Sequence, residues 1–227
     1  MSARPALANP AVMSYYTLRS AVGLIALSLP FALTVGTILL ALLGPDHALP
    51  RPILQRSISD YYYTPVGNLL VGSLCAIATI LICSRGYNLT DEITGYIAGL
   101  STLGLALFPS VNPRSPHHTE LEVDIGLAHG AFAGVMFLAL AYFCLILFRR
   151  TSPERRFTHR KRNRNRVYSV CGLVIIVCNL VMVSFLIPMI HRFLEPFYPL
   201  LCCETLVLVA FGIAWLTKGK GFLKHKP

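Results

Sequence analysis

Long apolar stretches separated by short polar segments dominate the chain. Six of them have 19 to 24 residues, enough for a helix to cross the ~30 Å hydrocarbon layer of a bilayer at ~1.5 Å rise per residue. They predict transmembrane helices at about 20–43, 65–83, 93–111, 125–148, 167–190 and 197–217. Backbone in lipid must satisfy its own polar groups, which favours helices. The sequence therefore predicts an all-α fold, a polytopic transmembrane six-helix bundle that forms one domain over residues 1–227.

Composition agrees with this pattern. Apolar residues make up 55% of the chain and charged residues 13%, whereas an ordinary soluble domain has roughly 25% charged residues. The seven cysteines all fall within predicted spans and include no C-x-x-C pair, so they do not form a disulfide framework. These features exclude a soluble globular enzyme, a disordered chain and a disulfide-stapled secreted domain.

The distribution of Lys and Arg predicts the orientation. If the N-terminus is cytoplasmic, sixteen of the twenty basic residues lie in inner segments and four in outer segments. Basic residues concentrate on the cytoplasmic side of membrane proteins. We therefore expect both termini in the cytoplasm, with a basic cytoplasmic loop at 149–166.

That loop and the basic C-terminal tail account for most of the net charge of +10. Each Lys or Arg near the inner leaflet contributes ~1 kcal/mol of attraction to anionic lipid. Single-stranded nucleic-acid binding sites use several interleaved aromatic residues for stacking, whereas the loop has Phe157 alone. The expected partners are thus the bilayer and its anionic inner-leaflet lipid, and not nucleic acid.

Two predicted spans carry glycines four residues apart. They are Gly126, Gly130 and Gly134 in the fourth span, and Gly95 and Gly99 in the third. Such spacing lets a neighbouring helix approach closely. We expect the two faces to pack on each other within the bundle, and a homodimer through the glycine faces is the alternative.

Two ionisable side chains lie inside the predicted membrane region. His129 is one turn inside the outer end of the fourth span, and Glu204 is about two turns inside the outer end of the sixth. A charge at the bilayer centre costs ~2.5–3.5 kcal/mol on insertion scales. Because their depths differ by only ~5 Å at helical rise, the two groups are able to meet if their helices are neighbours.

Other polar residues extend this pair into a candidate outward-facing ligand pocket. Its predicted members are Asp60, His129, Glu204, Ser57, Ser59, Asn68 and Asn179. A purely structural hydrogen-bonding role for His129 and Glu204 is the competing interpretation. The third interpretation is a zinc site that uses His129, Glu204 and Asp60. Zinc is usually bound by three or four protein ligands, and no H-E-x-x-H motif occurs in the sequence. No cofactor is predicted.

Several segments together resemble a known group of proteins. These are SISDYYYT leading into GNLLVG, GLALFPS, His129 at the start of the fourth span, RNRVYSVCG, and ETLVLVAFGIAWLTKG near the end. The ensemble resembles a family of bacterial six-span membrane proteins of unassigned function. That resemblance implies a multi-pass protein of the cell membrane, specifically the bacterial inner membrane.

A more distant similarity is to the damage-regulated autophagy modulators and FGF-receptor-activating proteins. Those proteins have six spans, a histidine that opens a middle span and a glutamate in the last, so His129 and Glu204 carry this similarity. Ser57 or Ser59 with Asp60 also resembles part of the motif of alkaline ceramidases and progestin/adipoQ receptors. The late H-x-x-x-H and the seventh span of that superfamily are missing.

Three function classes follow. The favoured one is a non-enzymatic membrane protein that binds a lipid or small ligand in the outward-facing pocket. The second is a metal-dependent membrane hydrolase acting at the outer face, in which histidine and a buried carboxyl group serve as general acid and base. The third is a proton- or ion-coupled transporter in which Glu204 changes protonation.

Overall fold

The computed structural model describes residues 10–44, 54–84, 88–150 and 159–219, with the side chains of the first helix described from Thr17 onward. These residues form helices and no strand. The seven α-helices of the described chain are α1 (Pro10–Leu43), α2 (Gly67–Cys83), α3 (Leu89–Leu107), α4 (Glu120–Tyr142), α5 (His159–Ser184), α6 (Pro188–Leu194) and α7 (Pro199–Lys218). The all-α prediction is confirmed.

Within the described ranges, four segments are long and apolar enough to cross a bilayer. They are Thr17–Leu43, Glu120–Leu147, His159–Ser184 and Pro199–Lys218. The helix α2 is apolar but has only 17 residues. In α3, Asp91 and Glu92 occupy the first turn and lower its mean hydropathy. Each of the six predicted spans overlaps one long helix, but the structure supports four membrane-crossing helices by length and composition, and not the predicted six.

The predicted fifth span is divided into two helices. The sequence predicts one helix to residue 190, but α5 ends at Ser184 and the seven-residue α6 begins at Pro188. A proline has no N–H to donate and favours the first turn of a helix, so Pro188 starts a new helix. None of the residues of α6 is buried.

The basic segment is also more helical than predicted. A loop was expected over 149–166, yet α5 already begins at His159 and carries five Lys and Arg residues in the stretch up to Arg166. Arg and Lys are good helix formers, and their long stems keep the charge in water at a membrane boundary. The remainder of this segment, 151–158, and the basic tail, 220–227, lie outside the described residues.

The six long helices form a closed ring. Along it, α1 contacts α2, α2 contacts α3, α3 contacts α4, α4 contacts α5, α5 contacts α7, and α7 returns to contact α1. The helices that carry His129 and Glu204, α4 and α7, share α5 as a neighbour. Buried apolar side chains from this ring form the main core, in which Trp215 and Phe211 are each 1% exposed.

The glycine faces do not pack on each other as expected. A Cβ atom on Gly99 would lie 2.5 Å from the Ile82 side chain and 3.0 Å from the Ala78 carbonyl oxygen, and Gly95 faces the Leu81 carbonyl oxygen. Both glycines therefore allow a close approach of α2 to α3. Gly95 and Gly99 were expected to bring α3 towards α4, but they face the preceding helix, α2.

The glycines of α4 divide between two environments. Gly126 faces the side chain of Val111, whereas no atom of the described residues lies within 4 Å of a Cβ built on Gly130 or Gly134. Close packing between α3 and α4 is instead provided by Gly104, against the ring of Phe132. The face of α4 with Gly130 and Gly134 is thus open in the single chain.

Candidate ligand-binding site

The segment between α1 and α2 folds into one end of the ring. We call residues 57–63 the cap segment; it includes the 3-10 helix Ser59–Tyr63. Ile58 and Tyr61 are buried in a cluster with apolar side chains of α1, α2 and α7. The Tyr61 and Thr34 hydroxyl oxygens are 2.9 Å apart. Tyr61 is fully buried, and its hydroxyl has this hydrogen-bond partner inside the ring.

His129 of α4 is held by hydrogen bonds at both ring nitrogens. Its Nδ1 lies 2.7 Å from the Phe108 carbonyl oxygen, and its Nε2 lies 2.8 Å from Ser59 Oγ. Because a carbonyl oxygen only accepts, Nδ1 carries a hydrogen. In the neutral ring Nε2 is therefore the acceptor for the Ser59 hydroxyl, and α4 is tied to the cap segment.

Glu204 of α7 is held by the neighbouring residue of the same segment. The backbone N–H of Ile58 donates to Glu204 Oε2 at 2.5 Å. No hydrogen bond or ion pair within the described chain joins His129 directly to Glu204. The two ionisable groups are connected through Ile58 and Ser59, which are consecutive in sequence. The cap segment is thus the shared partner of both groups.

A cavity of about 50 Å³ lies beneath the cap segment. Its polar lining includes Ser59, His129 and Glu204. Most of the remaining wall is apolar, with Leu29, Leu70, Val71, Leu74, Leu105, Ala133, Met136, Phe137 and Leu208. A small number of convergent polar groups in a mostly apolar cavity is the usual composition of a ligand site.

Ser57 and Asp60 form a separate buried polar group in the cap segment. The Asp60 backbone N–H donates to Ser57 Oγ at 3.1 Å, and the Ser110 hydroxyl donates to Asp60 Oδ1 at 3.5 Å. Both are 7% exposed, and neither lines the cavity. Burial raises the pKa of the Asp60 carboxyl, against the opposing effects of the Ser57 and Ser110 hydrogen bonds and the Arg56 charge.

The two predicted asparagines lie away from the cavity. Asn68 is exposed near the start of α2, and Asn179 is buried on α5. Neither lines the cavity beneath the cap segment. Of the seven predicted pocket residues, the structure brings Ser59, His129 and Glu204 together at this cavity. The helical period places a residue on a face of its own helix, but it does not identify the neighbouring helix.

The donor set beneath the cap segment does not fit a metal ion. Nδ1 of His129 carries a hydrogen, and Nε2 already faces Ser59. Asp60 is outside the cavity that His129 and Glu204 line. Among the residues that the structure describes, no group of three His, Cys, Asp or Glu side chains is arranged to surround an ion.

Several contacts of the site have no signal in the sequence pattern. Arg114 donates to Gln55 Oε1 at 3.1 Å and to the Tyr63 carbonyl oxygen at 3.0 Å, which fixes the cap segment to the loop after α3. The carbonyl oxygen of Phe108 orients His129, and any residue type supplies such an oxygen. The start of α4, in contrast, does have a signature in the sequence. Thr119 and Glu122 form a capping box there, and T-x-x-E is the sequence pattern of a capping box.

Comparison of the chain with protein-family models, with curated proteins and with solved structures finds no match. The geometry of the cavity therefore has to carry any functional argument.

Proposed function

We propose that the chain is a six-span protein of the cell membrane with both termini in the cytoplasm. Support comes from the four long apolar helices and from the excess of Lys and Arg in the inner segments. The apolar α2, with 17 residues, and α3, with 19, complete the count. Both reach nearly across a ~30 Å hydrocarbon layer at ~1.5 Å rise per residue. This arrangement directs the cap segment towards the outer side.

We infer that the cavity beneath the cap segment binds a small amphiphile or the end of a lipid acyl chain. The observation that carries this proposal is the composition of the cavity wall, which is mostly apolar and includes the polar groups of Ser59, His129 and Glu204. A cavity of about 50 Å³ admits about four water-sized groups. A hydroxyl or ester oxygen fits among the polar groups, with the first methylenes against the apolar wall.

Native mass spectrometry of the purified protein tests this proposal. Ala133 lines the cavity, so Ala133→Trp fills it, whereas Ala131→Trp adds the same ring to an exposed position on α4. We expect the fraction of protein carrying a bound amphiphile to fall about fivefold or more in Ala133→Trp. It should be unchanged in Ala131→Trp.

A second variant, Ser59→Ala, tests the same proposal if Ala133→Trp does not fold. Ser59→Ala removes a hydroxyl from the cavity wall and the hydrogen bond to His129, and leaves the aliphatic wall intact. We expect weaker retention of the amphiphile in this variant, with a monodisperse elution profile. Equal occupancy in wild type, Ala133→Trp and Ser59→Ala would refute binding in this cavity.

The alternative functions give different results in the same preparation. Stoichiometric zinc that is lost in both His129→Ala and Glu204→Gln would favour the metal-dependent hydrolase. Accumulation of an ion in sealed vesicles that depends on Glu204 would favour the transporter. Among the residues that the structure describes, no specific contact favours either alternative over amphiphile binding.

Three further parts of the proposal concern partners and relatives. Anionic lipid of the inner leaflet is the proposed partner of the basic segment 149–166. The open face of α4 at Gly130 and Gly134 is the proposed seam if the protein forms a homodimer. Membership of the bacterial six-span family stays a proposal that rests on the segments quoted from the sequence.

A further inference from the structure

A second cavity lies at the opposite end of the ring. Its volume is about 30 Å³, which admits about two water-sized groups. The polar and aromatic residues that line it are Arg19, Ser84, Asp91, Phe143, Phe148, Trp215 and Lys218. It shares no lining residue with the cavity beneath the cap segment. The two sites are therefore independent.

Two cations in its wall lie against aromatic rings. The Arg19 guanidinium carbon is 5.9 Å from the centre of the Trp215 ring, and the Lys218 ammonium is 5.3 Å from the centre of the Phe148 ring. Arg19 is only 9% exposed. A cation over an aromatic face is attracted by the ring.

More positive charge converges from α5. The Lys161 ammonium donates to the Phe148 carbonyl oxygen at 3.3 Å, and the Lys218 ammonium approaches the same oxygen at 3.5 Å. A guanidinium nitrogen of Arg164 donates to the Thr217 carbonyl oxygen at 2.5 Å. Helices α1, α5 and α7 thus each bring at least one cation to this end of the ring.

Negative charge in the cavity wall is scarce by comparison. Asp91 of α3 is the one acidic residue among its described lining residues. Its carboxylate is already paired with Arg150, at 3.3 Å. Like charges brought together in a partly buried site repel each other, so the arrangement favours entry of an anion.

The hydrogen-bonding groups of the cavity show the same imbalance. An ammonium has three N–H donors, and the hydrogen bond of Lys218 within the described chain is the 3.5 Å contact to Phe148. The Nε1–H of Trp215 is buried without an acceptor among the described residues. The Ser84 hydroxyl donates to the Ile80 carbonyl oxygen at 2.6 Å. Lys218 and Trp215 therefore have N–H donors without a short hydrogen bond among the described residues.

We propose that this second cavity binds a phosphate group, carried either by an anionic phospholipid or by a free phosphate, between Arg19, Lys218 and Trp215. The oxygens of a phosphate supply the acceptors that the ammonium and the indole N–H lack, and its charge offsets the excess of cations. The flanking basic turns of α5 add long-range attraction. The lipid form of this proposal rests on the proposed membrane location, and the free-phosphate form does not.

Native mass spectrometry and thermal unfolding of the delipidated protein test this site. One arm adds phosphatidylglycerol or phosphatidylcholine, and the other adds inorganic phosphate or chloride. For a lipid ligand, we expect phosphatidylglycerol adducts to exceed phosphatidylcholine adducts about fivefold or more, with no effect of phosphate. For a free ligand, phosphate raises Tm above the chloride control and competes with the lipid.

Matched variants separate a built site from general attraction to a basic surface. Lys218→Met removes a cation from the cavity wall, Arg166→Met removes an exposed cation of α5, and Lys218→Arg keeps the charge. We expect Lys218→Met to lower anion binding about fivefold and the other two to stay near wild type.

Two results would overturn the proposal. One is anion binding by Lys218→Met equal to that of the wild type, in a preparation with an unchanged elution profile. The other is equal losses in Lys218→Met and Arg166→Met, which would leave only surface electrostatics. Because Ala133→Trp fills the other cavity, it should leave this binding unchanged, so failure of the amphiphile site and failure of the phosphate site are distinguishable.

Discussion

Single side chains in this protein illustrate how polar groups are accommodated in an apolar ring of helices. His129 and Glu204 each lie at the apolar cavity, and each has a hydrogen-bond partner in the cap segment. A buried polar group without a partner costs roughly 1–3 kcal/mol. The consecutive residues Ile58 and Ser59 supply both partners, so a single short segment satisfies groups from two helices.

Asp60 provides a pH-dependent test at the residue scale. Burial raises the pKa of its carboxyl in the folded protein above the ordinary value of 3.8. A raised pKa means that the folded state holds the proton more tightly. The carboxyl therefore contributes stability at pH below its unfolded pKa, and this contribution is lost as pH rises through the folded pKa.

We predict that Asp60→Asn has a higher Tm than the wild type at about pH 8, because the amide has no charge to desolvate. The difference should shrink as the pH is lowered, because the wild-type carboxyl takes up its proton as the pH falls through the raised pKa. Thermal unfolding in detergent measures it, with the exposed Asp124→Asn as the control. A Tm difference independent of pH would contradict the argument.

At the scale of the elements, helix packing depends on where a glycine meets a neighbour. Gly99 and Gly134 both belong to G-x-x-x-G patterns, yet Gly99 touches α2 and no atom lies within 4 Å of a Cβ on Gly134. The same motif therefore has two different structural meanings in one chain. Identifying them requires knowledge of which helices are neighbours.

We predict that Gly99→Leu lowers the free energy of unfolding by about 1–3 kcal/mol, because the added side chain meets Ile82 and the backbone of Ala78. Gly134→Leu should be close to neutral in stability. Thermal unfolding of the two variants measures the difference.

The same variants test a homodimer through the open face of α4. If it forms, Gly134→Leu should reduce the dimer fraction on size-exclusion chromatography. Gly99→Leu, compared at equal yield, should leave the dimer fraction unchanged.

At the scale of the whole molecule, the two ends of the ring differ in chemistry. One end holds the cap segment with Ser59, His129 and Glu204, and the other gathers Arg19 and Lys218. The proposed orientation places the basic end in the cytoplasm, where Lys and Arg concentrate in membrane proteins. Ligand and lipid would then approach the protein from opposite sides.

Cysteine labelling tests this orientation. In a background without native cysteines, His117→Cys lies in the loop between α3 and α4, and Asn163→Cys lies near the start of α5; both positions are exposed. We predict that a membrane-impermeant maleimide labels His117→Cys in intact cells and labels Asn163→Cys after permeabilisation alone. The reverse pattern would invert the proposed topology.

Much of the architecture could be predicted from the chain because an apolar segment needs a helix to satisfy its backbone. Each predicted span overlaps one long helix, for example 65–83 with Gly67–Cys83. The bounds near Pro188 and in the basic segment were wrong, because hydropathy does not register the start of a helix at a proline or in a polar segment that favours helix. The all-α class did not depend on those bounds.

The candidate site was only partly predictable. His129 and Glu204 stand out in the sequence because ionisable groups in apolar segments are costly. Other features of the two cavities depend on contacts between residues far apart in the chain. Ile58 and Ser59 join His129 to Glu204, Asp60 faces Ser110, and Trp215 lies beneath Arg19. Hydrophobic patterning determines which segments become helices. The order of helices around the ring, and hence which polar groups share a cavity, is decided by side-chain packing in three dimensions.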